Sequence, residues 1–179
     1  MTEDVRHGPV GVRDTAAEDA EFLIDMLLEE VNWGLPEPIS RRQLLRDRVL
    51  SQYVAGWQRE GDLGVVAVDT GGPNGLQIPV GAAWLRRFTA QSPGQAFIAT
   101  TVPELSLGVI PAHRGRGIEM GLVHTLIGRA RDAGITRIAA FVAAGHPSRE
   151  FYDAAGFTQV RDEDGGHVLV LDLLGDALA

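Results

Sequence analysis

The stretch VIPAHRGRGIEMGL, from Val109 to Leu122, is the most informative part of the chain, because it joins a strand to a helix through a loop of two glycines and two arginines. The mostly apolar residues from Glu104 to Ile110, closed by Pro111, predict the strand. On the other side Gly134 predicts the end of a helix whose apolar residues recur at helical spacing: Leu122, Val123, Leu126, Ile127 and Ala130. A glycine-rich first turn leaves backbone N–H groups free at the positive end of the helix dipole. The pattern therefore predicts a phosphate or pyrophosphate site, with charge added by Arg114 and Arg116.

The spacing of the glycines distinguishes between phosphate ligands. No Lys-Ser or Lys-Thr pair follows, as a Walker loop requires, and after Gly115 and Gly117 the third glycine, Gly121, comes one residue too late for a dinucleotide fingerprint. The pattern V-x-P-x-x-R-G-x-G-I instead resembles the acyl-CoA pyrophosphate loop of the GNAT superfamily of N-acyltransferases.

A second signature follows at a fixed distance, after a β-rich run from Ile135 to Ala143. Pro147 is suited to open a short helix and Gly156 to close it. The segment is similar to the family's N-x-x-(S/A)-x-x-(L/F)-Y-x-x-x-G-F pattern, with matches at Ser148, Phe151, Tyr152, Gly156 and Phe157. Two signatures in this order are more specific than either alone, and the chain is identified as a member of the superfamily. We expect a single GNAT domain over residues 1–179, with residues 1–8 flexible.

The remaining elements follow from periodicity and turn signals. Residues 11–14 and 167–173 resemble the family's first and last strands, and the strands 63–68 and 80–88 are expected to form a hairpin. Residues 16–31 predict one helix, and Ser40 is expected to cap a second that runs to about Trp57. The predicted order is β-α-α-β-β-β-α-β-α-β-β, an α/β (α+β) fold with helices on both faces. The resemblance implies a mixed, mostly antiparallel sheet of six to seven strands, about four helices, and a splay between the Glu104 and Ile135 strands.

Composition excludes several classes of protein. A chain of 179 residues with 45% hydrophobic content can bury one sizeable core, and the absence of cysteine excludes disulfides and a cysteine nucleophile. Without a signal-peptide core or a membrane-length apolar run, we expect a soluble cytoplasmic protein that does not bind membranes. The net charge of −8 argues against nucleic acid. It is compatible either with steering of a cationic substrate or simply with an acidic, soluble surface.

The resemblance implies which residues contact the cofactor, acetyl-CoA. They comprise strand positions Leu107, Gly108 and Val109, loop and helix positions Arg114, Gly115, Arg116, Gly117, Ile118, Glu119 and Met120, and Ser148. The N–H of Val109 would polarise the acyl carbonyl, the alternative being an ordinary ladder bond in the sheet. Ser148 either bonds the cofactor or caps its own helix.

Two residues match the family's catalytic positions. Glu104 is the expected general base, because a carboxylate on an apolar strand should have a raised pKa; the alternative is a loop end in solvent. Tyr152 is expected to protonate the leaving thiolate, the alternative being a core aromatic cluster with Phe151 and Phe157.

Two positions depart from the family pattern. Glu119 stands where a small residue is usual, and since a carboxylate beside a pyrophosphate is unfavourable, we expect it to point sideways into solvent. Gly145 stands where the family has an asparagine that contacts the pantetheine arm. That contact is expected to be lost here unless water or His146 replaces it.

The expected activity is transfer of an acetyl group from acetyl-CoA to a primary amine of a small molecule or peptide, by direct attack in a ternary complex. The alternative is a non-catalytic GNAT-like sensor or interaction domain. The acceptor region holds Trp33, Tyr53, Trp57 and Trp84, which would suit an amine with an apolar body or simply belong to the core. The five histidines lack metal-ligand spacing, so no metal is expected. The sequence is compatible with a monomer or a homodimer.

Overall fold

The computed structural model describes residues 9–175, which form one seven-stranded sheet. The expected flexibility of residues 1–8 therefore lies outside the described residues. The strands are β1 (Val10–Asp14), β2 (Leu63–Asp69), β3 (Ile78–Arg86), β4 (Glu104–Val109), β5 (Arg137–Ala143), β6 (Thr158–Glu163) and β7 (Gly166–Asp172). Their spatial order is β1-β2-β3-β4-β5-β7-β6, and every neighbouring pair is antiparallel except β4 and β5. The predicted mixed, mostly antiparallel sheet is confirmed.

Four helices cover both faces of this sheet: α1 (Ala20–Asn32), α2 (Arg41–Arg46), α3 (Ile118–Asp132) and α4 (Arg149–Ala154). On one face, the predicted apolar stripe of α3 packs with Val65 and Leu107. On the other, Leu23 and Met26 of α1 pack with Val66. Because both faces are covered, β2 reads as an uninterrupted apolar run. The predicted order of helices and strands is confirmed.

The second helix is much shorter than predicted, although its start is correct. Ser40 Oγ accepts the Gln43 N–H at 3.2 Å, and the Gln43 side chain accepts the Ser40 N–H at 2.7 Å. The prediction of a helix to Trp57 is wrong, because Asp47 Oδ1 accepts the N–H groups of Val49 and Leu50, both at 2.9 Å. A short polar side chain that bonds the backbone locally competes with helix propagation. A 3₁₀ turn at Leu50–Tyr53 follows instead.

The strands β4 and β5 diverge soon after they meet. Their pairing register consists of Glu104 opposite Ala139 alone, whereas β3 accompanies β4 as far as Val109 and β7 accompanies β5 as far as Ala143. The two parallel strands are therefore held apart towards their carboxyl ends, and the predicted splay is confirmed.

Helix α1 crosses β4 directly beside this splay, at Gly108. A Cβ atom on Gly108 would lie 2.1 Å from the carbonyl oxygen of Met26, so only glycine permits this approach. The contact brings the carboxyl-terminal half of α1 to the opening between β4 and β5.

Candidate active site

The loop before α3 has the geometry of an anion site. Gly115 and Gly117 have φ angles of +71° and +80°, which favour glycine, and Gly117 is the N-cap of α3. The first hydrogen bond of α3 runs from the Gly121 N–H to the Gly117 carbonyl. The N–H groups that precede Gly121 in the helix therefore have no acceptor within it. Arg116, Gly117 and Ile118 line a recess beside β1, and a Cβ on either loop glycine would meet nothing within 4 Å.

Glu119 does not point into solvent, so that prediction is wrong. The residue is 1% exposed, and its Oε1 accepts the N–H of Gly115 at 3.2 Å, while its buried Oε2 has no hydrogen-bond partner. The reason is helical geometry, because Glu119 shares a helix face with the buried Leu122 and Val123. One N–H group of the loop is thus occupied by a carboxylate of the chain itself.

Arg114 does not place its charge over the loop as predicted. Its guanidinium lies 4.5 Å from the centre of the Trp33 ring, donates from Nε to the Val109 carbonyl at 3.0 Å and pairs with Glu29 Oε2 at 3.1 Å. The side chain ties the end of β4 to α1, because Glu29 supplies a carboxylate and Trp33 an aromatic face there. Arg116 is exposed in the loop and carries the charge that the sequence predicted.

The alternation of β4 directs alternate backbone groups into the splay. Because the Ile110 N–H donates to the Val80 carbonyl on β3, the N–H groups of Leu107 and Val109 face away from β3. In this register the Val109 N–H has no place in the β3 ladder, contrary to the alternative considered from the sequence.

Glu104 is buried, and the alternative of a loop end in solvent is wrong. The residue is 1% exposed, and its Oε1 accepts the Tyr53 hydroxyl at 2.6 Å and the Ala96 N–H at 2.8 Å. Burial raises the pKa of Glu104, as predicted, although the two hydrogen bonds offset part of that effect.

Sequence reasoning missed Tyr53 as the partner of Glu104. Its hydroxyl also accepts the Gln95 N–H at 2.8 Å. The turn that carries Tyr53 is anchored by the buried Arg86, which pairs with Asp62 and donates to the carbonyl of Gln52 at 2.9 Å. In the sequence Tyr53 is one apolar position of a predicted helix, and no local signal relates it to Glu104.

Tyr152 is fully buried in the core, edge-on to Phe157 with ring centres 5.2 Å apart. Its hydroxyl has no hydrogen-bond partner, although buried hydroxyl groups usually have one. Burial, followed by the charge of Glu30, raises the pKa of Tyr152 well above its usual value. The side chain therefore belongs to an aromatic cluster, and its hydroxyl is buried without a hydrogen-bond partner among the described residues.

A cavity of about 220 Å³ lies between α1, the Tyr53 turn and the diverging strands. Its polar wall includes Glu30, Tyr53, Ser106, His146 and Ser148. Burial raises the pKa of Glu30 to about 8, and a hydrogen bond from the Leu107 N–H offsets part of the increase. Sequence reasoning also missed Glu30, because α1 carries several acids and only packing selects the one that faces the splay.

Ser148 and His146 connect this cavity to α1. The Ser148 hydroxyl lies 2.7 Å from His146 Nδ1, and His146 Nε2 lies 2.8 Å from the Glu30 carbonyl oxygen. The Ser148 side chain makes no capping bond to α4, so the alternative of a helix cap is wrong. Gly145, where the family has asparagine, adopts a φ of +73°.

The other predicted acceptor aromatics lie mainly in the core. Trp57 and Trp84 are 8% and 0% exposed, as the core interpretation predicts, while Trp33 packs edge-on against His146. Within residues 9–175 there is no group of three or more potential metal ligands. Across the same residues, no helix combines the length and apolar character needed to span a membrane.

Comparisons with known proteins agree with this geometry. The family model described as "Acetyltransferase (GNAT) family" matches residues 25–157, more than half of the chain. No curated protein sequence matches the chain significantly.

Solved structures of similar fold cover nearly the whole chain. A GNAT superfamily phosphinothricin acetyltransferase from Sinorhizobium meliloti, solved with AcCoA, is 22% identical with a TM-score of 0.65, over 95% of this chain and 92% of that one. The GNAT domain of S. lividans PAT is 26% identical, with a TM-score of 0.61 and coverage of 93% and 92%. The PaiA N-acetyltransferase from Thermoplasma acidophilum, solved with coenzyme A, is 18% identical, with a TM-score of 0.65 and coverage of 92% and 99%. By its family match and its fold, the chain belongs to the GNAT acetyltransferase family.

Proposed function

We propose that the protein transfers an acetyl group from acetyl-CoA to a primary amine of a small molecule or peptide, by direct attack in a ternary complex. The observation that carries this proposal is the open splay, into which β4 directs the N–H groups of Leu107 and Val109 beside a cavity. Structures of two similar folds contain AcCoA or coenzyme A, which supports the same cosubstrate here.

The residues present fit this cosubstrate along most of its length. The first-turn N–H groups of Ile118 and Met120, with Arg116, would hold the pyrophosphate. The Leu107 carbonyl and the Val109 N–H, which face away from β3, would hold the pantetheine amides, with Gly108 paired to β3 between them. The unpartnered Tyr152 hydroxyl suits a sulfur atom. Glu119 is the exception, since its carboxylate already uses the Gly115 N–H. When bound, acetyl-CoA supplies the acetyl group as an activated thioester.

A base must remove a proton from the acceptor ammonium group. Tyr53 lines the cavity and donates its hydroxyl proton to Glu104 behind it, so the pair can act as that base. As a proton arrives at the Tyr53 oxygen, the hydroxyl proton can pass to Glu104 Oε1 across 2.6 Å. The raised pKa makes Glu104 a stronger base for this proton than an exposed glutamate. The amine nitrogen would then bond the acetyl carbon as the carbon–sulfur bond breaks. The Tyr152 hydroxyl would give its proton to the departing sulfur, and the second proton released by the new amide nitrogen would restore the tyrosine.

The second candidate is a non-catalytic acyl-CoA sensor. The occupied Gly115 N–H favours it, because a carboxylate in the loop disfavours a bound pyrophosphate. The Tyr53–Glu104 pair favours the enzyme, since a sensor has no need for a proton acceptor behind its cavity.

Cofactor binding is tested first, by calorimetry and thermal denaturation with acetyl-CoA. Binding should stabilise the fold by about 2.7 kcal/mol at a hundred times the dissociation constant. Replacing Gly117 with tryptophan should abolish the effect by blocking the loop. An unchanged melting temperature at millimolar acetyl-CoA would contradict the proposal.

Turnover then separates enzyme from sensor, with a screen of amines and peptides analysed by mass spectrometry. The 179 residues contain no lysine, so acetyl-lysine in a peptide product has no background from the protein itself. Glu104→Gln and Tyr53→Phe should each keep acetyl-CoA affinity while turnover falls, on the order of 10²-fold for a lost base. Glu104→Gln should also flatten the acidic limb of the pH–rate profile. A protein that binds acetyl-CoA but acylates nothing in the screen is a sensor.

A further inference from the structure

The cavity beside the splay has a largely apolar wall, and Glu30 is the one acidic side chain among its described lining residues. Its apolar lining includes Leu27, Val31 and Leu50 on one side and Leu105, Phe141 and Val142 on the other. A volume of about 220 Å³ corresponds to roughly seven water molecules, at about 30 Å³ each in the liquid. The space therefore suits a small ligand with a hydrocarbon body.

Two of the three titratable groups in the wall make hydrogen bonds to other side chains. Tyr53 donates to Glu104 and accepts from the Gln95 N–H. His146 contacts the Glu30 carbonyl oxygen and Ser148, and burial lowers the pKa of His146, which keeps it neutral. The third titratable group is the carboxyl of Glu30, which accepts the Leu107 N–H.

The described residues of the wall offer no cationic side chain to a negatively charged group. Among the described residues that line it there is no arginine, and the sequence contains no lysine. The guanidinium of Arg114 is paired with Glu29 and lies over Trp33. Behind Tyr53 stands a second carboxylate, the buried Glu104, so an anion in the cavity would meet two acids and no cation.

We propose that this cavity binds the acceptor amine as a small monocation with an apolar body, its ammonium group facing Glu30, and that it excludes amines that also carry a carboxylate. This inference rests on the proposed acetyl transfer and narrows its substrate class to simple alkyl or aralkyl amines rather than amino acids.

Glu30 responds to such a ligand by ionising. Burial favours its protonated form in the empty cavity, and an ammonium group nearby favours the carboxylate. Binding of an alkylammonium ion at pH 7 should therefore release about one proton from the protein. The Leu107 N–H remains a hydrogen-bond donor to the ionised group.

The test uses matched pairs that differ by one carboxylate: 3-methylbutylamine against leucine, and phenethylamine against phenylalanine. With acetyl-CoA, kcat/KM should favour each amine on the order of 100-fold or more, because like charges brought together in a desolvated site repel strongly. Glu30→Gln should raise KM for the amine more than it lowers kcat. It should also reduce the ratio of kcat/KM for each amine to that for the matched amino acid. Glu60→Gln, which removes an exposed carboxylate, is the matched control.

Calorimetry of 3-methylbutylamine with the protein alone gives a readout that does not depend on turnover. The measured heat should vary with the ionisation enthalpy of the buffer in wild type and in Glu60→Gln, and should not vary in Glu30→Gln. Equal kcat/KM for leucine and 3-methylbutylamine, or proton release unaffected by Glu30→Gln, would overturn this inference while leaving acetyl transfer intact. Loss of acetyl-CoA binding in wild type would instead overturn the proposed function.

Discussion

Tyr152 has two interpretations, as a core packing residue and as the acid that protonates the leaving thiolate, and they differ only in the role of its hydroxyl. Its ring packs in the core against Phe157, and its hydroxyl bonds nothing within the described residues. A core tyrosine retained for packing alone would normally have a bonded hydroxyl or be replaceable by phenylalanine.

Tyr152→Phe should therefore leave stability and acetyl-CoA affinity close to wild type, because no hydrogen bond of the fold is lost. Turnover should fall by roughly 10²-fold if the hydroxyl protonates the leaving thiolate. Urea denaturation, calorimetry and steady-state kinetics on the same preparation measure all three. Unchanged turnover would leave Tyr152 with a packing role only.

Glu119 is the second residue whose role depends on its surroundings. Its buried carboxylate holds one N–H of the loop and leaves one oxygen unbonded. Glu119→Ala should tighten acetyl-CoA binding, by about tenfold or more, since a negative charge near the pyrophosphate is removed.

Calorimetry of Glu119→Gln beside Glu119→Ala separates charge from shape. The glutamine keeps an acceptor for the Gly115 N–H, so its affinity should lie between wild type and the alanine variant. Tenfold weaker binding by Glu119→Ala would mean that the side chain is itself a cofactor ligand.

At the scale of elements, the turn Leu50–Tyr53 positions Tyr53 because Arg86 of β3 anchors the turn. The fully buried Arg86 of β3 pairs with Asp62 at 2.6 Å and donates to the carbonyl groups of Gln52 and Ala55. Arg86→Met should lower the free energy of unfolding by roughly 3–5 kcal/mol, since Asp62 is left as an unpaired buried charge.

The double variant Arg86→Met, Asp62→Leu is the control for this prediction. It removes both charges and should recover part of the loss, as urea denaturation would show. A single-variant loss below 1 kcal/mol would mean that the turn holds without Arg86.

For the whole molecule, buried acids make stability depend on pH. The folded pKa of Glu30 is raised from 4.5 to about 8, so the native state binds more protons than the unfolded state between these values. The contribution of Glu30 to stability is complete below pH 4.5 and is lost as pH rises to about 8. Burial raises the pKa of Glu104 in the same direction.

The free energy of unfolding should therefore fall between pH 5 and pH 8, by up to about 1.4 kcal/mol per pH unit for each such group. Glu30→Gln should flatten the decline, whereas Glu60→Gln, on the exposed surface, should not. Urea denaturation at several pH values measures the slope. A decline unchanged by Glu30→Gln would mean that Glu30 titrates near its ordinary pKa.

The order of helices and strands, the glycine loop before α3 and the Ser40 cap could all be predicted from the sequence, as could the positions of Glu104 and Tyr152. These features depend on local backbone preferences, on periodic burial and on motifs of fixed spacing, all of which can be read along the chain. The end of α2 was missed because the Asp47 side chain competes with the helix for local N–H groups.

Which polar groups contact each other depends on tertiary packing and could not be predicted from the sequence. The Tyr53–Glu104 bond, the burial of Glu119, the pairing of Arg114 with Glu29 and the position of Glu30 in the splay join groups on different elements or depend on which face a helix buries. The energy of such contacts depends on burial and on exact distance, which sequence spacing does not contain.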